Sequence, residues 1–331
     1  MSSEEKNCFI LLPLLYIIPS LLLYMMELIV MRFTKTKKQF DAYFYNIFAI
    51  YSVNNIICSI MYFICYRGVA APALSGFYQI FPEEGFIISV ILYFCYCSGA
   101  AQVVLDVCIC FNRFTVVLLE NKYTTFWNKF GNVVVVIHMV IPFLLNWETF
   151  FFKPKLTPAN PLDLSKGFSW GVTDSSFAPW MNRRWLIVGN VVISSTLSFC
   201  MNLYVCSYIM KQRMNVNKTG GKIFKGHDFG LFIFNLFVFL TQCVQFILQM
   251  IFLFSSPSST AVIFAQNIQF FVMDINTLIP AWFFFIMSRP LRTSVLKTFF
   301  NVGKTEVSHI TLGNSKGRIQ NPAVNNIRIT S

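Results

Sequence analysis

The stretch FIISVILYFCYCSGAAQVVLDVCICF, at residues 86–111, decides the fold of this chain. A helix needs about 20 mostly apolar residues, each adding about 1.5 Å, to cross the hydrocarbon core of a bilayer. Six further apolar stretches lie at 8–31, 43–66, 131–147, 185–210, 229–254 and 261–287. The fourth of the seven, 131–147, is close to the lower limit of length. We therefore predict an all-α membrane protein built as a seven-transmembrane helix bundle.

The composition of the chain agrees with a membrane protein. It is 56% hydrophobic and only 12% charged, and its mean hydropathy is +0.59. Soluble domains average about 45–50% apolar and about 25% charged residues. The 38 phenylalanines among 331 residues suit a surface that faces lipid, whereas a soluble protein would expose too many of them to stay monomeric.

Basic residues are distributed unevenly between the gaps that separate the stretches. Four segments hold 19 of the 26 Lys and Arg residues, and they are 32–42, 112–130, 211–228 and the tail 288–331. An excess of Lys and Arg marks the cytoplasmic side of a membrane protein. The N-terminus is therefore predicted outside and the C-terminus inside. Orientation and contact with anionic lipid are sufficient to explain this basic face, and docking of an acidic cytosolic partner is a second explanation.

These patterns divide the chain into three parts. Residues 1–7 form a predicted extracellular N-terminus, and residues 8–300 form the seven-helix domain. After the seventh stretch, a Ser-Arg-Pro start followed by apolar residues at helical spacing predicts an amphipathic interfacial helix at 289–300. Residues 301–331 are rich in Asn, Ser, Thr and Gly, which predicts a disordered cytoplasmic tail.

The sequence lacks the motifs of common enzymes. It has no Walker A loop, dinucleotide fingerprint, HExxH motif or nucleophile elbow. Its three histidines are too scattered for a metal cluster, and its halves show no repeat of the kind common in transporters. We expect no catalysis, no cofactor and no metal, and the membrane-proximal basic charge argues against a nucleic-acid partner. Cys8 and Cys65 lie near the predicted outer boundary of the membrane. They can either form a disulfide or remain free thiols.

Acidic residues within the apolar stretches are candidates for function. An aspartate at the centre of a membrane helix costs on the order of 2.5–3.5 kcal/mol. Asp274 lies in the middle of the seventh stretch, and polar residues of other stretches lie at similar depth. The predicted switch network at the midplane comprises Asn54, Asn55, Ser98, Asp106, Asp274 and Asn276. Asp274 is expected to hydrogen-bond to one of the first three, either as a contact that holds helices together or as part of an ion or proton site.

A second group of polar residues lies in the outer halves of the stretches. Gln242, Gln245 and Gln249 are spaced three and four residues apart, so they share one face of the sixth helix. Polar side chains that converge in an aromatic and apolar region are typical of a small-molecule site, although helix packing alone also explains them. The predicted ligand-binding residues are Tyr93, Tyr96, Asn190, Ser194, Gln242, Gln245, Gln249, Gln266 and Gln269.

Short motifs follow one another in order along the stretches. They are Leu105-Asp106, Asn112-Arg113-Phe114-Thr115, Lys122-Tyr123, Phe126-Trp127, the run from Asp274 to Pro280-Ala281-Trp282, and Ser288-Arg289-Pro290-Leu291-Arg292. In this order the chain resembles a nematode serpentine chemoreceptor of the class gamma superfamily, either class gamma or class V, among the G-protein-coupled receptors. The resemblance implies a small-molecule ligand, a heterotrimeric G protein as partner, and a plasma membrane location in a sensory cilium.

The resemblance also implies a G-protein coupling site at the inner end of the third stretch, formed by Asn112, Arg113 and Phe114. Arg113 matches the arginine of the inner triplet that rhodopsin-like receptors use against the G protein. Asn112 stands where that triplet has an acidic residue, and the sixth stretch has no proline. The rhodopsin-type activation lock is therefore not implied.

Two other classes of membrane protein remain as alternatives. A ligand-gated cation channel of the inverted seven-helix type would need its N-terminus inside, against the distribution of basic residues. A small-solute transporter would need inward acid, base or metal-binding groups in number, and the stretches hold few. The prediction is a chemosensory receptor that binds a small molecule in the outer half of the bundle and activates a heterotrimeric G protein.

Overall fold

The computed structural model describes residues 7, 11–34, 43–151, 153–172, 183–219, 226–256 and 259–301. Within these residues, nearly all regular structure is helical, apart from two short strands that pair with each other. Six segments of the described chain are long and apolar enough to cross a membrane, and one of them, Phe86–Phe150, contains two helices. The prediction of an all-α membrane bundle is confirmed.

The long helices bear the labels α1 to α8 in chain order. They are α1 Leu14–Phe33, α2 Tyr43–Tyr62, α3 Phe86–Leu119, α4 Tyr123–Asn146, α5 Arg183–Thr219, α6 Gly226–Phe254, α7 Thr260–Met287 and α8 Arg289–Phe299. A π-helical turn at Phe63–Gly68 extends α2. The short elements are the α-helical turn Ser75–Tyr78, the 3₁₀ turns Pro72–Leu74, Glu120–Lys122, Trp147–Phe150 and Leu164–Lys166, and the strands β1 Pro154–Pro158 and β2 Phe168–Val172.

The helices extend beyond the predicted apolar stretches. α3 runs to Leu119 rather than ending at residue 111, and α4 begins at Tyr123 rather than at residue 131. Glu120 has a φ of 40°, in the left-handed region, where the chain leaves α3 and turns into α4. The fourth stretch, which is close to the lower limit of length for a membrane span, therefore belongs to a helix of 24 residues.

α3 lies at the centre of the bundle, where it packs against α2, α4, α5 and α6, while α7 packs against α1, α2 and α6. Aromatic rings fill the core at the end that carries α8. The ring centroids of Phe48 and Phe284 are 3.9 Å apart, and Phe234 packs against both rings. Because lipid tails are as apolar as these side chains, close packing rather than transfer from water joins the helices here.

α8 follows directly after α7, as the sequence predicted. Leu291 and Val295 are fully buried in the cluster formed with α1 and α7. Arg292 donates a hydrogen bond of 2.7 Å to the carbonyl oxygen of Ile286, one of the last in α7. The predicted N-terminus 1–7 and tail 301–331 lie outside the described residues, except for Asn7 and Asn301.

The antiparallel hairpin β1–β2 lies at the opposite end of the bundle, hereafter the hairpin end, as distinct from the α8 end. Leu156 is paired in register with Trp170, whose indole N–H donates to the carbonyl oxygen of Cys65 on α2. Hydrogen bonding to Glu84, followed by the interaction with Glu83, raises the pKa of the partly exposed Lys155 amine. The sequence did not predict this hairpin. Cys8, the candidate partner of Cys65, lies outside the described residues.

Candidate ligand-binding site

A cavity of about 150 Å³ lies between α2, α3, α5, α6 and α7, with the end of α4 at its border. Its wall on α3 runs from Tyr96 to Asp106, which is about 15 Å of helix at about 1.5 Å per residue. A cavity of about 150 Å³ in another protein holds one benzene molecule. The volume therefore suits a small, elongated molecule.

Six of the nine predicted ligand-binding residues line this cavity, and they are Tyr96, Asn190, Gln242, Gln245, Gln249 and Gln269. The three glutamines of α6 have the common face that their spacing predicted. Gln242, Gln245 and Gln249 are 4%, 8% and 9% exposed. The structure brings the six together, and their role in ligand binding stays a prediction.

The other three predicted residues lie elsewhere. Tyr93 continues the lining face of α3 toward the hairpin end, but its ring packs against Phe143 and Phe150, with centroids 6.1 and 4.7 Å away. Ser194 is buried but does not line the cavity, and Gln266 is exposed. The ring of Tyr93 therefore packs among aromatic side chains of α4 and of the turn that follows it.

Several lining residues were missed from the sequence. Tyr62 and Tyr66 of α2 face the cavity, and their rings stack with centroids 5.2 Å apart. Their spacing of four residues was a signal of a shared helical face. Gly99 allows α3 to approach this pair, because a Cβ at Gly99 would lie 3.3 Å from the hydroxyl oxygen of Tyr62. Gln102, one turn before Asp106, also lines the cavity.

Some of the buried polar atoms that lack partners in the described residues belong to side chains that line the cavity. Asp106 is 5% exposed and lies beside Tyr51 and Gln242. Within the described residues, the lining atoms that lack a hydrogen-bond partner are Asp106 Oδ1, both amide atoms of Gln242, Gln102 Nε2, Gln245 Oε1 and Asn276 Oδ1. An unsatisfied buried polar group costs about 1–3 kcal/mol. The arrangement therefore suits an occupant that both donates and accepts hydrogen bonds.

The predicted midplane network separates into distinct clusters. In one cluster, Asn54 of α2 donates to the carbonyl oxygen of Ser98 on α3, at 3.1 Å. Asn55 donates to the hydroxyl of Tyr24 on α1, at 2.9 Å, and Tyr24 donates to the carbonyl oxygen of Thr277 on α7, at 2.7 Å. Side chains of this cluster therefore connect α1, α2, α3 and α7.

Asp274 is not part of that cluster. The prediction that it would hydrogen-bond to Asn54, Asn55 or Ser98 is wrong. Its carboxylate forms a bidentate ion pair with the guanidinium of Arg67, with N–O distances of 2.5 and 3.0 Å. The expected contact with another helix is present, because Arg67 belongs to the π-helical turn that extends α2.

The position of Arg67 explains why a different partner binds Asp274. The sequence prediction ended the second stretch at residue 66 and assigned Arg67 to an outer gap, whereas the helix continues to Gly68. A guanidinium offers a positive charge and two parallel donors, so it binds a carboxylate better than an amide or hydroxyl does. The hydroxyl of Tyr16 on α1 donates to the same carboxylate. Three helices therefore meet at this ion pair.

Glu27 of α1 is a further buried acidic residue that the sequence prediction left out. It is fully buried, and neither carboxylate oxygen has a hydrogen-bond partner within the described residues. An acidic residue inside an apolar stretch was the signal that identified Asp106 and Asp274, and the same signal was present at Glu27. It does not line the cavity.

The predicted coupling residues lie at the α8 end of α3. Asn112 donates to the hydroxyl of Tyr123 at the start of α4, at 2.9 Å. The guanidinium carbon of Arg113 lies 3.7 Å from the ring centroid of Phe44 on α2, a cation–π contact. The ring of Phe114 packs against a tyrosine ring of α5. These contacts fix the end of α3 against three neighbouring helices, and a role in coupling stays a prediction.

The long apolar helices and the partly polar cavity between them define a helical membrane protein with an internal cavity. The family model described as Srg family chemoreceptor matches residues 10–295. The chain therefore belongs to the Srg family, a family of nematode serpentine chemoreceptors. The resemblance predicted from the motifs is confirmed. A comparison with curated proteins found no match.

Proposed function

We propose that this chemoreceptor binds a small molecule in the cavity and activates a heterotrimeric G protein. The observation that supports the ligand position is the lining itself. Six polar or aromatic residues predicted from the sequence line one cavity of about 150 Å³, and several of its buried polar atoms lack partners within the described residues. Close packing alone would leave no such space between these side chains.

The proposed topology has seven membrane spans with the hairpin end outside. α3 and α4 are each long enough to span, with 34 and 24 residues, and the turn at Glu120–Lys122 folds one back on the other. The segments that hold 19 of the 26 basic residues all connect helices at the α8 end or follow it. The positive-inside rule then assigns the α8 end to the cytoplasm. The plasma membrane of a sensory cilium is proposed from the resemblance.

The proposed coupling site lies at the α8 end, around Arg113. A guanidinium there can donate hydrogen bonds to the carbonyl groups at the C-terminus of a partner helix, where the helix dipole is negative. A ligand activates such a receptor only if it binds the active state better than the inactive state. The cavity and the coupling site both include residues of α3, which makes that helix the common element of binding and coupling.

The test is a ligand screen in cells that express the receptor, with a second-messenger readout. For any compound that gives a response, Gln245→Leu and Gln249→Leu should weaken the response at matched surface expression. Gln266→Leu is the matched control, because Gln266 is an exposed glutamine outside the cavity. If the cavity variants and the control respond alike, the ligand does not bind in the cavity. A ligand-induced current that persists when G proteins are blocked would instead support a cation channel.

A further inference from the structure

Asp106 is the one charged residue among the described residues that line the cavity. Its side chain is 5% exposed, and its Oδ1 has no hydrogen-bond partner within the described part of the chain. The uncharged side chains of Tyr51 and Gln242 lie next to this carboxyl group. The protein therefore places an acidic group in the cavity without a positive side chain beside it in the described lining.

Asp274, a partly buried acidic residue of α7, has a different environment. Asp274 has the guanidinium of Arg67 at 2.5 Å and the hydroxyl of Tyr16 as a further donor. Arg67 is thus occupied by Asp274 and does not line the cavity. An occupant of the cavity can supply the counter-charge that a carboxylate at Asp106 lacks in the described lining, and this would lower the cost of burying that charge.

We propose that the cavity binds a small protonated primary amine, with its ammonium group on Asp106. An ammonium supplies one positive charge and three N–H donors, which match a carboxylate and the amide oxygens of nearby glutamines. Gln242 Oε1 and Gln245 Oε1 are among the acceptors without partners in the described residues. This inference rests on the proposed function, because it names the chemical class of the ligand for the same cavity.

The remainder of the cavity suits an apolar or aromatic body on that amine. Apart from the polar groups, the lining contains the rings of Tyr62, Tyr66 and Tyr96 and aliphatic side chains such as Val103 and Val191. The volume of about 150 Å³ limits the occupant to roughly the size of benzene plus a short chain. A neutral alcohol of that size can bind the amides but leaves the carboxylate without a charge partner. A carboxylate ligand adds a second negative charge.

The test measures ligand-induced thermal stabilisation of the purified full-length receptor. The probes are three compounds with the same body, 2-phenylethylamine, 2-phenylethanol and phenylacetate, and the corresponding hexyl series. The amines should stabilise the receptor at concentrations roughly ten- to a hundredfold lower than the alcohols, as expected for a hydrogen bond to a charged group. The carboxylates should give no stabilisation.

Two variants separate the role of Asp106 from a general loss of stability. Asp106→Asn should abolish the preference for amines and leave binding of the alcohols. Glu27→Gln is the matched control, because it neutralises a buried carboxyl group outside the cavity, and it should keep the preference. Gln249→Leu should weaken amine and alcohol binding to a similar extent.

The wild-type comparison decides the inference even if Asp106→Asn does not fold. Equal binding of amines and alcohols, or no binding of amines, overturns the amine assignment, as does a preference for amines that survives in Asp106→Asn. Binding of the alcohols that is sensitive to Gln249→Leu would at the same time keep the cavity as the ligand site. The proposed function itself fails on a different result, namely a ligand found by screening whose response ignores the cavity variants.

Discussion

The ion pair between Arg67 and Asp274 gives a quantitative prediction about the stability of the bundle. Both side chains are largely buried, at 8% and 16% exposure, and the pair is bidentate. Arg67 also donates to the carbonyl oxygen of Phe270, at 3.3 Å. Asp274→Asn and Arg67→Gln each remove one charge and leave the other buried, and the double variant removes both charges.

The expected costs are unequal because the charge that remains differs. Breaking a buried pair by removing one partner costs about 3–5 kcal/mol. After Asp274→Asn, the guanidinium of Arg67 cannot deprotonate, so the free energy of unfolding should fall by about 5 kcal/mol. After Arg67→Gln, the carboxylate of Asp274 still accepts a hydrogen bond from Tyr16, so the loss should be nearer about 3 kcal/mol. The double variant leaves no buried charge and should lose at least about 2 kcal/mol less than the sum.

The measurement is reversible unfolding of the purified receptor in mixed detergent micelles, carried out as a double-mutant cycle. Tyr16→Phe is the reference for the loss of one hydrogen-bond donor, with an expected cost of about 1 kcal/mol. Additive effects of the two single variants, within about 0.5 kcal/mol, would contradict the ion pair. Single-variant costs below about 1 kcal/mol would show that the pair behaves like one exposed to solvent.

Three further predictions concern coupling, topology and the cavity. Arg113→Ala should leave surface expression and ligand binding nearly unchanged but abolish G-protein activation, and Arg113→Lys should restore activation only in part. Full signalling by the Ala variant at matched expression would show that Arg113 only anchors the helix at the membrane interface. Asp163→Asn creates a glycosylation sequon with Ser165 between the two strands and should be modified in microsomes, whereas a glycan on Asn217 would reverse the orientation. Gly99→Leu should abolish the ligand response because its side chain meets Tyr62, while Gly76→Leu, where a Cβ meets no atom within 4 Å, should not.

Helical periodicity was the most reliable source of site residues in the sequence. Gln242, Gln245 and Gln249 were assigned to one face of a helix from their spacing alone, and all three line the cavity. Periodicity does not fix how a helix is rotated in the bundle. Gln266 and Gln269 of α7 are also three residues apart, yet Gln269 lines the cavity while Gln266 is exposed. Only contacts with the neighbouring helices determine which of the two faces inward.

The ion pair shows a second limit of sequence reasoning. Asp274 was identified because an acidic residue in an apolar stretch requires a partner, and that expectation holds. The partner was misassigned because the hydropathy of the stretch ends at residue 66, one residue before Arg67, while the helical hydrogen bonds continue through the π-helical turn to Gly68. Hydropathy locates the apolar part of a helix, and backbone hydrogen bonding determines where the helix ends.

One face of α2 connects the cavity with the proposed coupling site through direct contacts. Tyr51 lies beside Asp106, its ring packs against Phe48, and Phe48 packs against Phe44, with centroid distances of 6.0 and 6.2 Å. The guanidinium of Arg113 lies on the ring of Phe44. The three aromatic residues are three and four positions apart, so a rotation of α2 moves all of them together. Such a rotation gives this face two arrangements. A ligand on Asp106 changes the state of Arg113 only if the ligand binds one arrangement more tightly than the other, because contact by itself transmits no free energy. Substitutions of Asp106 and of Arg113 therefore perturb contacts at opposite ends of the same face of α2. The effect of the first on ligand binding and the effect of the second on G-protein activation should be separable.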